Sequence, residues 1–185
     1  MPEVKFKLSL CGATVLLFLA TIALNELLFT RLEFAPGINW VYLPAGVKLL
    51  STLLFAEAGA AGILIASWLV CFGYFFPDDP LRSFIGGILA ALAPYLVYRF
   101  ILSSNGGNAS LAGLSAPRLL FYALAFSIAS PGLHHLWFAL QGGKDELWRS
   151  FLVMAGGDLA GTLIVLYAAK AALLLARPSS GSRRN

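Results

Sequence analysis

Apolar residues run almost unbroken through 8–29, 40–76, 81–102, 117–140 and 147–176, and polar residues gather in the short stretches between. About 20 apolar residues in a helix cross the roughly 30 Å hydrocarbon layer of a bilayer. The first stretch therefore predicts one membrane-spanning helix. It reads as retained rather than cleaved, because it is longer than a signal-peptide core and no small-x-small site closes it. The second stretch is too long for one span. As a straight helix it would reach roughly 55 Å, so it must turn back, and the small-residue patch 56–62 is the expected place. That predicts a short helix over 44–55 with a non-helical entry, then a helix over 58–76. Helices over 81–102, 117–140 and 147–176 follow, with Pro94 expected to kink the first of these and Ser130-Pro131-Gly132 to break the second. The expected fold is an all-α membrane protein, a bundle of about six transmembrane helices with a short or broken helix 2. An arrangement in which 40–57 is a re-entrant loop gives five spans instead. One polytopic domain covers 1–176, and the Ser- and Arg-rich segment 177–185 reads as a disordered basic cytoplasmic tail.

Composition and charge add topology. Of 185 residues 59% are apolar, against about 45–50% in soluble domains, and 12% are charged rather than about a quarter. A soluble fold of this size could not bury so much apolar surface. The net charge of +4 is spread along the edges of apolar segments, not over a basic face, which excludes nucleic acid as a partner. With six helices, Lys5, Lys7, Arg99, Arg118, Arg177, Arg183 and Arg184 share the side of the termini, and Arg31, Arg82, Lys144 and Arg149 the other. The excess places both termini in the cytoplasm of a bacterial inner membrane. Cys11 and Cys71 lie inside apolar runs as packing residues. Asn108-Ala109-Ser110 matches a glycosylation acceptor by chance, since its loop is expected on the cytoplasmic side.

Candidate chemistry rests on ionisable groups at membrane depth, which are expensive to keep there. Lys48, Glu57, Asp158 and Lys170 are such groups. Trp40 suits the interface, Pro44 the first turn of a helix, and Gly46 the close approach of a neighbour. Gly157 and Gly161 form a GxxxG spacing around Asp158 that lets another backbone come near. Lys48 and Asp158 are expected to meet in the bundle interior as a structural pair, with a ligand or proton site at Asp158 as the other reading. Glu57 competes for Lys48 but is expected to face water at the turn, and Lys170 to snorkel to the interface. Glu26 either reaches the outer interface or faces a cavity. His134 and His135 point about 100° apart and have no third ligand nearby; they are structural or handle a proton or ligand. The candidate set is thus Trp40, Pro44, Gly46, Lys48, Gly157 and Asp158. No GxSxG, HExxH, Walker A or zinc-type cysteine spacing occurs, so no enzyme activity, cofactor or metal is expected.

Trp40 with Pro44-Ala45-Gly46, and later Gly157-Asp158 with Gly161, resemble the motifs of the MASE-type integral membrane sensor domains. The resemblance covers about a third of the chain. It implies a sensory or regulatory module that binds a small ligand or partner within its helices. In that family the region precedes a diguanylate cyclase, phosphodiesterase or histidine kinase domain. None follows helix 6 here, so action through a separate membrane or cytoplasmic signalling partner is expected, with the lipid bilayer around it and homo-oligomers open. A second class is a small transport protein resembling the substrate-binding subunit of an energy-coupling-factor transporter. Ala13, Ala20 and Ala23 do not give that family's Ala-x-x-x-Ala docking spacing. A third is a ligand-free assembly factor.

Overall fold

The computed structural model describes residues 2–104, 115–142 and 146–175, with side chains given to residue 172. The expected disordered tail 177–185 and the acceptor Asn108 lie outside the described residues. Five helices, α1 (Pro2–Phe29), α2 (Leu43–Val70), α3 (Pro80–Ser104), α4 (Ala116–Leu140) and α5 (Leu147–Leu175), make up nearly all of the rest. Each is long and apolar enough to cross a membrane, as expected of a multi-pass membrane protein.

Where about six helices are expected, the second apolar stretch lies within one of these five, α2, which is interrupted at Ala56. That residue takes φ 51° and ψ −126°, far from helical values, and the chain reverses there. A Cβ added to Gly59 would strike the carbonyl of Ser51, eight residues earlier, which in a straight helix lies roughly 12 Å away. Contacts with α1 give the direction of each arm. Asn25 meets Leu43 and Phe18 meets Lys48, so the first arm runs antiparallel to α1. Thr14 packs where Gly62 lacks a side chain, and the Tyr74 hydroxyl donates to Glu26 at 3.3 Å, so the second arm runs parallel to it. Glycine at 59 and 62 is what allows both approaches. The first arm, 43–55, is about 20 Å long and too short to span. A π-helical turn, Cys71–Phe75, ends the second.

Between α1 and α2 lies a 3₁₀ turn, Thr30–Leu32, and a two-stranded hairpin of β1 (Glu33–Ala35) and β2 (Ile38–Asn39). Pro36-Gly37 makes the turn, with Gly37 at φ 79°, where glycine carries no Cβ penalty.

α2 packs against α1, α3 and α5, and α4 lies against α3 and α5. In lipid, apolar burial does not drive helices together, so small residues that permit close contact set the seams. Gly87 on α3 receives the Trp68 ring, which stacks on Phe84 at 5.4 Å and donates its N–H to the Phe84 carbonyl at 3.0 Å. Asp79 caps α3 by accepting the Arg82 N–H at 2.9 Å, with Pro80 in the first turn. Two expectations are corrected. α4 is not broken at Ser130-Pro131-Gly132 but continues through Pro131; covering helices tolerate the lost backbone bond. α1 starts at Pro2 rather than near residue 8, with Lys7 paired to Glu3 at 3.0 Å on its exposed first turns.

Two outcomes follow from the reversal. In a cysteine-free background, cysteines at Arg31 and Asp78 should label from the same membrane face and one at Lys5 from the opposite face. Labelling of 31 and 78 from opposite faces would mean that α2 runs straight through. Ala56→Gly, which relieves a backbone geometry costing about 1–3 kcal/mol in a non-glycine residue, should raise the thermal midpoint.

Candidate functional site

The head of α2 is built by its neighbours. The first turn of a helix leaves backbone N–H groups without intrahelical acceptors, and at membrane depth there is little water to serve them. Pro44 removes one such donor. The Leu43 N–H donates to Asn25 Oδ1 of α1 at 2.9 Å, and the Tyr42 N–H donates to the Gly157 carbonyl of α5 at 3.1 Å. Both acceptors come from other helices, so the entry segment is pinned from two sides.

Gly157, Gly161 and Gly46 make that contact possible. A Cβ on Gly157 would strike the Asn39 carbonyl, one on Gly161 the Tyr42 carbonyl, and one on Gly46 would stand 3.0 Å from the Gly161 carbonyl and closer to Val165. The two segments singled out in the sequence therefore lie backbone against backbone. Of the six candidate residues, Pro44, Gly46, Lys48, Gly157 and Asp158 are buried at this seam. Trp40 is the exception, 53% exposed, consistent with an interfacial ring.

Lys48 and Asp158 are 4% and 1% exposed. Each lies within the electrostatic reach of the other, yet they form no ion pair. Among the described residues the ion pairs are Glu3–Lys7 and Glu146–Arg149, both exposed. The Lys48 ammonium rests instead over the Tyr42 ring, 5.1 Å from its centroid, and near the Phe18 ring at 5.9 Å. Aromatic faces attract a cation in this way but accept no ordinary hydrogen bond from it. Asp158 sits beside the Ser130 hydroxyl of α4, outside hydrogen-bond geometry, and neither of its oxygens has a partner. Glu57 and Lys170 are exposed. Glu26 is half-buried and meets Tyr74.

Both histidines are anchored on α4 through Nδ1, and His134 also lines the cavity beside Lys48. His134 Nδ1 lies 2.8 Å from the Ser130 carbonyl and His135 Nδ1 2.9 Å from that of Pro131, one turn back on α4. His135 Nε2 meets the Ser150 hydroxyl at 2.7 Å, tying α4 to α5. No cluster suited to a metal occurs among the described residues.

A cavity of about 70 Å³ opens beside Lys48, under the hairpin and between the helices. Lys48, Ser67, Cys71, His134 and Arg82 line it, the Arg82 guanidinium lying 3.9 Å over the Phe76 ring. The Ser67 hydroxyl and Arg82 Nε are buried without hydrogen-bond partners. No Asp or Glu lines the cavity. Sequence reasoning missed Ser67 and Arg82. Ser67 lies on the second arm of α2 and is brought to Lys48 only by the reversal, and Arg82 reads as an ordinary loop-side cation.

The chain matches no family model, no curated protein and no solved structure.

Removing the charge of Asp158 tests the absence of an ion pair. Asp158→Asn should leave thermal stability unchanged or raised, since an unpaired buried carboxylate contributes little to stability. A real pair would make the same substitution strongly destabilising. Gly161→Ala, which forces a methyl against the Tyr42 carbonyl, should cost about 1–3 kcal/mol.

Proposed function

We propose that the chain is a sensory or regulatory module of a bacterial inner membrane, with both termini cytoplasmic, that takes a small ligand into its helix bundle and passes the occupancy to a separate partner. The observation that carries this reading is the buried Lys48 ammonium, facing a cavity with no acidic group on its wall. A charge kept at membrane depth without a counter-ion is a site looking for one. The resemblance to MASE-type sensors, whose motif positions meet at the α2–α5 seam beside this cavity, supports the same reading. The reversal in α2 supports six membrane-crossing or membrane-entering arms, and the basic excess on the side of the termini supports their cytoplasmic placement. The reading assigns no catalytic step.

Thermal denaturation of the purified full chain against a panel of small metabolites tests it, because a ligand that binds only the folded state raises the midpoint. At least one compound should raise it saturably, and Gly86→Leu, which projects a side chain into the cavity, should abolish the response. A response that survives Gly86→Leu would remove the cavity from the reading.

A further inference from the structure

The cavity's donors define the chemistry of what fits. Lys48 is nine-tenths buried or more, lies on the cavity wall, and has neither a hydrogen-bond acceptor nor an ion pair among the described residues. Ser67 lines the same cavity with its hydroxyl buried and unpartnered. Buried polar groups are ordinarily hydrogen-bonded, so an ammonium held only by aromatic faces and an unpartnered hydroxyl facing one space point to a missing partner. Asp158, the acid whose charge reaches Lys48, does not line the cavity and forms no ion pair with the lysine.

We propose that the cavity binds a small monocarboxylate, its two oxygens received by the Lys48 ammonium and the Ser67 hydroxyl and its short apolar body held among the rings of Phe18, Tyr42 and Phe75. This rests on the reading above that the bundle takes a small ligand. One ammonium and one hydroxyl match the two oxygens of a carboxylate. A phosphate carries nearly two charges, which cost more to desolvate against this largely apolar lining than the single charge of a carboxylate, even with Arg82 and His134 also on the lining. A cation is excluded by the lack of acids and by Lys48 and Arg82 both lining the cavity. Arg82, half-buried and also lining the cavity, adds a second positive charge that attracts anions. Size sets the body: 70 Å³ gives room for roughly five or six water-sized positions, which suits a carboxylate of about four carbons.

The test is calorimetry and thermal denaturation of the full chain in lipid nanodiscs, with butyrate, its uncharged amide butyramide, butylamine and inorganic phosphate as probes. Butyrate should bind saturably and raise the midpoint, and the other three should not. Lys48→Met should abolish butyrate binding. Ser67→Ala, which removes a hydroxyl with no partner and so leaves the fold intact, should weaken it about tenfold, the scale of one hydrogen bond to a charged group. Full butyrate affinity in Ser67→Ala, or equal responses to butyrate and butyramide, would overturn the assignment. Phosphate or butylamine binding with butyrate silent would overturn the carboxylate while leaving ligand binding in place. Silence from all four probes, alongside a positive metabolite in the wider panel, would do the same.

Discussion

The structure depends on satisfying backbone donors where a non-helical segment enters a helix bundle. Residues 30–42 are not α-helical, and the helix they lead into needs acceptors for its first N–H groups. α1 supplies one through Asn25 and α5 another through the Gly157 carbonyl. These bonds require the α5 backbone to approach within hydrogen-bond distance of the entry segment, which only glycine at 157 and 161 permits. Proline at 44 is part of the same solution, since it contributes no donor at the point where none could be served.

Once the entry is pinned, the first arm of α2 is fixed in direction and the reversal at Ala56 fixes its length. A short arm has a consequence a full span would not have. It ends inside the bundle, and the second arm returns alongside it. Lys48 on the first arm and Ser67 and Cys71 on the second then share one cavity, though nearly 20 residues separate Lys48 from Ser67 in the chain. In a straight helix the two would lie roughly 28 Å apart. The polar character of the cavity is therefore a product of the fold-back and not of local sequence.

This explains what could be read from the sequence. Membrane class, the limits of α3 and α5 and the need for the second stretch to turn were legible, because they follow from hydropathy and length alone. The approach of Gly157 and Gly161 to the α2 entry was legible from small-residue spacing. The Lys48–Asp158 ion pair was not found, and the reason is lateral rather than vertical. Helix position puts both residues in the bundle interior, but it says nothing about which way each side chain turns. Lys48 turns toward α1, onto the rings of Phe18 and Tyr42, and Asp158 turns toward Ser130 on α4. The hairpin at 33–39 was hidden because strands of three and two residues carry no periodicity to detect. The break predicted at Pro131 failed because proline in a covered membrane helix loses less than proline in water.

Two buried ions of opposite sign thus stand on either side of one glycine seam without touching. Interactions between charges fall slowly with distance where water is excluded, so the ions influence each other through the seam even unpaired. On the proposed reading, an anion seated on Lys48 offsets the positive charge that Asp158 now feels, and Asp158 belongs to α5. Occupancy of the cavity would then be felt directly by the helix that closes the described chain. A contact ion pair between Lys48 and Asp158 would have satisfied the lysine internally and left the cavity without its anion receptor. On the proposed reading, their separation is what keeps the ammonium available to a ligand while leaving it coupled to a second helix.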